Sequence, residues 1–402
     1  MLWLETIQNA QTLIVEKIIR TPLVHSPTFS KMWGASIFLK LENLQKTGSF
    51  KIRGATHKLI TSKNSIGPCG VVTASAGNHA QGVALAAALA NIPATIIMPE
   101  WASITKQEAT RGYGGTVELC GQTMAESLAR ARKLSNGDMT FIHPFDDLAV
   151  IAGQGTIGLE ILEDLPNADT LIVPVGGGGL IAGIAAAARH INPKIRVIGV
   201  QAAVCPAAAQ AFREKKRIRI DAAKPSIADG ISVTQLGKHN FSIIEDAVDE
   251  IVLVKEEEIA AAILMLLERK KILAEGAGAA PLAALMSGVV NLPPGNRVAL
   301  VISGGNLDSP LLGRIIGQGL VKNGRIMRLS VTLADIPGAM AGLLSQVAAL
   351  GANVLRIHHD RGAKEMPLFV TSVELELETR GPDHVAKIEQ ELKYAGHALK
   401  RL

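Results

Sequence analysis

Leu171-Ile172-Val173-Pro174-Val175-Gly176-Gly177-Gly178-Gly179-Leu180 is an apolar run broken by four successive glycines, and a second apolar stretch, Ile181–Arg189, follows it. Leu171–Ala188 is eighteen uncharged residues, close to the length that crosses a bilayer. A continuous helix there is disfavoured, because each glycine costs about 1 kcal/mol and the proline about 3 kcal/mol in a helix interior. Strand, loop and helix is the better reading. A strand that ends in a glycine loop and opens a helix is an α/β element. Its glycines let the backbone close around a phosphate and present several N–H groups to it, although a plain tight turn would look the same.

Three further segments share this character. Val71-Val72-Thr73-Ala74-Ser75-Ala76-Gly77-Asn78-His79-Ala80-Gln81-Gly82 runs from an apolar strand pattern into the alanine-rich helix Val83–Ala90. Val298–Ile302 reads as a buried strand and ends in Ser303-Gly304-Gly305-Asn306. Lys46-Thr47-Gly48-Ser49-Phe50-Lys51-Ile52-Arg53-Gly54-Ala55 places Lys51 at the start of a segment with helical apolar spacing: Ile52, Ala55, Leu59, Ile60. A helix start favours anions. That field should lower the pKa of Lys51 and leave part of it as the neutral amine that attacks carbonyl carbons. From about residue 37 to 320, runs such as Ala94–Met98, Val197–Val200 and Ile251–Val254 alternate with helical stretches, which predicts a mostly parallel sheet covered by helices. Ligands in such folds sit beyond the carboxyl ends of the strands, so one shared cleft is expected. Neither standard nucleotide motif fits: no Gly-Lys-Ser/Thr follows the glycines, and no acidic residue stands about 20 positions on.

The 402 residues are 48% hydrophobic and only 3% aromatic, so the core must rest on aliphatic side chains and alanine. A net charge of +5 is modest, and the one basic cluster, Lys215–Arg219, reads as a solvated loop without aromatic interleaving. No nucleic-acid partner is expected. Cys69, Cys120 and Cys205 have no paired or metal-binding spacing, which suits a reducing compartment, and no metal site is expected. Glu5 stands early and no basic segment with a long apolar core follows it, so no signal peptide and no membrane partner is expected. The expectation is a cytoplasmic protein.

The four segments, in this order, resemble the fold-type II pyridoxal-phosphate enzymes, and within them the threonine dehydratases (threonine ammonia-lyases). The likeness runs from about Thr21 to Gly317. Further matches are Phe38-Leu39-Lys40-Leu41-Glu42-Asn43, His143-Pro144-Phe145-Asp146-Asp147, Val150–Glu160, Ala228-Asp229-Gly230 and Glu275-Gly276-Ala277-Gly278-Ala279. The resemblance implies two open twisted α/β subdomains, with a smaller mobile one over about 50–150, inside a catalytic domain spanning 1–320. It implies pyridoxal 5'-phosphate as cofactor and Lys51 as the Schiff-base lysine that also takes the Cα proton. Gly176, Gly177, Gly178, Gly179 and Leu180 would give N–H groups to the cofactor phosphate. Asn78 would bond the ring hydroxyl, with helix capping as its alternative. Ser303 would face the ring nitrogen, where a neutral hydroxyl favours elimination over long-lived carbanions. Ser75, Asn78 and His79 would cradle the substrate carboxylate, though His79 reads equally as a packing histidine. Phe50 would pack beside the cofactor, and an ordinary core phenylalanine would look the same.

The implied reaction is loss of water from L-threonine, and of L-serine, giving 2-oxobutanoate or pyruvate and ammonia. A serine or threonine racemase of the same fold is the nearest alternative. In that family a serine directly before Gly-Asn-His supplies the second proton donor, and here the position is Ala76. Its divalent-metal site uses an acid after the strand equivalent to Val197–Val200, where this chain has Gln201. A non-catalytic amino-acid sensor is the alternative from another class, and the intact Lys51 and glycine loop argue against it.

Residues 1–20 read as one amphipathic helix through Leu4, Ile7, Leu13, Ile14 and Ile18. The last 80 residues change character. Strand patterns at Arg328–Leu333, Asn353–His358, Leu368–Glu378 and Ala398–Leu402 interleave with helical ones at Ala339–Leu350 and Pro382–Tyr394. That β-α-β-β-α-β order over 325–402, after a linker near Gly317–Gly324, resembles an ACT domain, an α+β regulatory module. The turn Asp335-Ile336-Pro337-Gly338 matches its ligand loop, which implies a branched-chain amino-acid effector at Asp335 and Gly338. It also implies a homo-oligomer, dimer or tetramer; a place in isoleucine biosynthesis and a catabolic role both stay open. A dimerisation domain without a ligand is the alternative.

Overall fold

Parallel strands buried on both faces need near-continuous β-branched sequence, and Thr170–Pro174 supplies it with all five residues buried. The computed structural model describes residues 4–221, 225–361 and 367–402. The chain divides into two compact units, Met1–Ser309 and Pro310–Leu402.

The first unit holds two sheets. The larger has six strands in the order Leu23–His25, Ser36–Leu41, Arg297–Ile302, Thr170–Pro174, Arg196–Ala202 and Glu250–Val254. Only the first of these is antiparallel to its neighbour. The smaller sheet is parallel throughout, in the order Thr116–Leu119, Ala94–Met98, Val71–Ala74 and Thr140–Phe141. The expected mostly parallel α/β architecture, with two sheets covered by helices, is therefore present. The main core packs the helices Leu148–Asp164 and Gly179–Ile191 against the larger sheet with Ile, Val, Leu and Ala side chains. Among the described residues no helix is long and apolar enough to cross a membrane.

The N-terminal helix is shorter than its apolar spacing suggests. It spans Leu4–Ile14, and the first three residues of the expected 1–20 helix lie outside the described residues. The chain leaves the helix because Gln45 captures the backbone of Ile19, accepting from its N–H at 2.8 Å and donating to its carbonyl at 2.7 Å. Ile18 stays in the core from a turn rather than from a helix.

Helix Lys51–Thr61 is fixed to the larger sheet by a buried charge network. Arg53 makes a two-pronged contact with Glu42, both prongs at 2.8 Å, and a second with Glu160 at 2.6 and 2.9 Å. Lys40 closes the set at 2.5 Å from Glu160. Two positive and two negative charges thus share a site that water does not reach.

The second unit has four antiparallel strands in the order Asn353–Asp360, Val370–Glu378, Ile326–Ala334 and Ala398–Arg401. Alternate residues Met327, Leu329, Val331 and Leu333, with Val373, Leu375 and Leu377, face helices Ala339–Ala349 and Pro382–Tyr394 through Leu343, Val347, Ile388 and Leu392. Two expectations need correction. Leu368 and Phe369 precede the strand and are 87% and 82% exposed. The expected linker at 317–324 is mostly helix, Ser309–Lys322, and the compact units divide before it, at Ser309/Pro310. Pro310 is tolerated in that helix because the first-turn N–H has no intrahelical acceptor.

Candidate active site

Lys51 opens its helix because the segment before it is pinned. Phe50 N–H donates to the Ser303 carbonyl at 3.1 Å, and Ser49 pairs with Gly304, so the helix starts at the end of strand Arg297–Ile302. The Lys51 Nζ donates to the Pro144 carbonyl at 2.9 Å and lies 5.2 Å from the centre of the Phe50 ring. Its pKa is lowered to about 8, mainly by burial, against the opposing attraction of Glu275. Loss of hydration, rather than the helix-start field expected from the sequence, is the main cause. A buried ammonium loses its water and finds one carbonyl in return, so the neutral amine gains.

Asn78 begins helix Asn78–Leu89, yet its side chain does not cap it; Gly77 holds that position. Instead Asn78 Nδ2 donates to Glu275 Oε1 at 2.7 Å, and its Oδ1 accepts from Asn306 Nδ2 at 2.7 Å. Glu275 is pushed up to about 7, by burial first and then by the Asp229 carboxylate. His79 is buried, and its Nε2 meets the Ile142 carbonyl at 3.2 Å. A carbonyl can only accept, so that nitrogen carries the hydrogen, and burial holds the ring neutral with a pKa of about 3. Its packing role is thus visible in the geometry. Ser75 Oγ accepts from Gly77 N–H at 3.2 Å and shapes the turn before the helix.

The glycine loop runs from the end of strand Thr170–Pro174 to the start of helix Gly179–Ile191. Gly178 has φ +95°, which only glycine adopts cheaply. A Cβ on Gly177 would lie 2.4 Å from the Phe145 ring. Close packing of neighbouring protein therefore demands glycine here, a reason the sequence could not display. The first N–H groups of the helix have no intrahelical acceptor and stay available.

These elements enclose one cavity of about 690 Å³. Lys51, Phe50, Ser75, Asn78, His79, Gly176, Gly177, Gly178, Gly179, Leu180 and Ser303 all line it. Four distant segments thus meet as the shared cleft requires. Glu275, Asn306, Pro144 and Asp229 also reach the site and had no assigned role. All four stood inside quoted runs, but Glu275, an acid before an alanine-rich helix, reads first as a dipole partner, and the other three carry no local pattern. Among the described residues there is no cluster of three or more His, Cys, Asp or Glu side chains suited to a metal ion.

In the second unit, Gly338 has φ +91° and precedes helix Ala339–Ala349. Asp335, expected to meet an amino group, forms an ion pair with Arg361 at 3.0 Å.

Residues 14–304 match the family described as pyridoxal-phosphate dependent enzyme. The chain belongs to that family. A protein named L-threonine ammonia-lyase from Thermotoga maritima is 48% identical over 401 residues, which is 100% of this chain and 99% of that one. Among solved structures, maize serine racemase superposes with a TM-score of 0.74 at 35% identity, over 80% of this chain and 98% of that one. The threonine deaminase of solved structure from T.th. gives 0.72 at 38%, over 76% and 99%. The site suits the family's cofactor. A buried amine with a depressed pKa faces the cavity, a left-handed glycine opens a helix beside it, and the volume lies in the range typical of cofactor pockets.

Proposed function

We propose that this pyridoxal-phosphate dependent enzyme eliminates water from L-threonine, and from L-serine, to an enamine that tautomerises and takes water back, releasing 2-oxobutanoate or pyruvate and ammonia. The observation that carries the reading is the buried Lys51 amine, half neutral near pH 8, on the wall of a cavity it shares with the glycine loop. The name of the relative aligned over its whole length supports the substrate class. When bound, the cofactor supplies an electron sink for the pair left at Cα. Lys51 would hold it covalently until the substrate amine displaces Nζ, and the freed Nζ would then take the Cα proton. Gly176 to Leu180 would hold its phosphate through N–H groups and the helix dipole. Asn78, steadied by Asn306, would meet the ring hydroxyl, and Ser303 the ring nitrogen. Ser75 and the start of helix Asn78–Leu89 would receive the substrate carboxylate, with His79 supporting that turn from behind.

A racemase would need a proton donor opposite Lys51, and Ala76 on the cavity wall offers a methyl group. The second unit would bind a branched-chain amino acid through Gly338 and Asp335, and would pair with a second copy of the chain. A cytoplasmic setting follows from the metabolic substrate and the scattered cysteines. The test is keto-acid release from threonine and serine, with and without isoleucine and valine. Turnover of threonine supports the reading, and racemisation without keto-acid release overturns it.

A further inference from the structure

Asn240 lies on helix Lys238–Ala247, outside every segment singled out in the sequence, and is fully buried. Its Nδ2 donates to the Gly177 carbonyl at 2.7 Å and to the Phe145 carbonyl at 3.1 Å. Both neighbours are acceptors, so the amide nitrogen must face them, and Oδ1 is left buried without a partner. A half-paired amide is a poor choice for stability alone, because a buried acceptor without a partner has lost its water for nothing in return. The two carbonyls belong to the two loops that matter: the glycine loop, and the loop whose Pro144 carbonyl receives Lys51 Nζ. The helix itself is held in place by Asp146, which accepts from Lys238 N–H at 2.7 Å and His239 N–H at 2.9 Å. Gly237 N–H adds a bond to the Gly177 carbonyl at 3.1 Å.

In a trans peptide the carbonyl and the next N–H point in opposite directions on one rigid plane. Fixing the Gly177 carbonyl toward Asn240 therefore fixes the Gly178 N–H away from it. The fit is close, since a Cβ on Gly178 would lie 2.9 Å from the Asn240 Cβ. We propose that Asn240 is a positioning residue that sets the Gly177–Gly178 peptide plane and so presents the Gly178 N–H to the cofactor phosphate. This rests on the reading of the glycine loop as the phosphate cradle.

The test uses Asn240→Asp, which keeps the shape and removes both donors. Apo-protein is titrated by visible absorbance with pyridoxal 5'-phosphate and, separately, with pyridoxal, which lacks the phosphate. Two lost hydrogen bonds predict about 10- to 100-fold weaker binding of the phosphate form. Pyridoxal binding should change little. Equal losses for both compounds, or no loss for either, overturn the proposal, because a merely structural residue would not distinguish them. Should the wild type itself bind the two alike, the cradle reading fails first and takes this one with it. If Asn240→Asp does not fold, Asn240→Ala is judged by the same ratio.

Discussion

At the scale of single residues, the proposed chemistry rests on Lys51, whose pKa burial lowers to about 8. Lys51→Ala should lower keto-acid release by at least about a thousand-fold, the upper part of the range for a lost acid–base group. Circular dichroism should show the fold unchanged; retention of a tenth of the activity would move the role to another lysine. With a Lys51 pKa of about 8, cofactor attachment to apo-protein should speed up as pH rises and level off above about 8.5, not above 11. Stopped-flow absorbance across pH 6–10 reads this directly. Glu275 gives the opposite kind of signal. Its pKa rises from 4.5 to about 7 on folding, so the folded apo-protein binds the extra proton. The stabilisation is complete below pH 4.5 and is lost as pH rises through 7, by about 3 kcal/mol. Glu275→Gln should flatten that part of a denaturation-versus-pH curve. Ala76→Ser should raise serine racemisation in deuterated water from a negligible level, since it restores a proton donor on the cavity wall. The helix start at Lys51 and the strand-to-helix junctions at Asn78 and the glycines were legible in the apolar pattern, while the roles expected of them came from the family resemblance. Glu275 and Asn306 were not, because their partner Asn78 lies about two hundred positions away. Asn240 carries no local pattern at all.

Among elements, helix Lys51–Thr61 depends most on charges that no periodicity reveals. Arg53→Met would leave Glu42 and Glu160 buried beside a single lysine. Breaking a buried ion network in this way typically costs about 3–5 kcal/mol. Urea unfolding should therefore show a much lower midpoint; an unchanged midpoint would mean that the carboxylates find water. The strand at Thr170–Pro174 and the alternation in Val370–Glu378 were readable because burial on two faces or one leaves a direct trace in composition. Element ends were less readable. Helix Leu4–Ile14 stops where Gln45 takes the Ile19 backbone, a contact made across the fold and silent in the apolar spacing.

On the scale of the molecule, two units suggest two tasks. A chain ending at Gly324 should keep threonine turnover and lose any response to isoleucine or valine. Coupling between such sites is typically about 5–150-fold in affinity, easily seen in a threonine saturation curve. If millimolar isoleucine and valine leave the full-length curve untouched, the second unit has another role. Its β-α-β-β-α-β order was legible from alternation and turns, whereas its border was hidden because Ser309–Lys322 carries ordinary helical spacing. The larger sheet has one further consequence, for the order of events during synthesis. Strand Ser36–Leu41 takes Arg297–Ile302 as its parallel neighbour, and that partner leaves the ribosome about 260 residues later. At about 5–20 residues per second, the early strand waits roughly 13–50 s with that edge unpaired. The smaller sheet draws all four strands from Val71–Phe141 and can close long before. A nascent chain stalled midway should therefore present a finished small subdomain beside a naked, aggregation-prone edge, the place where a holdase chaperone would find its grip.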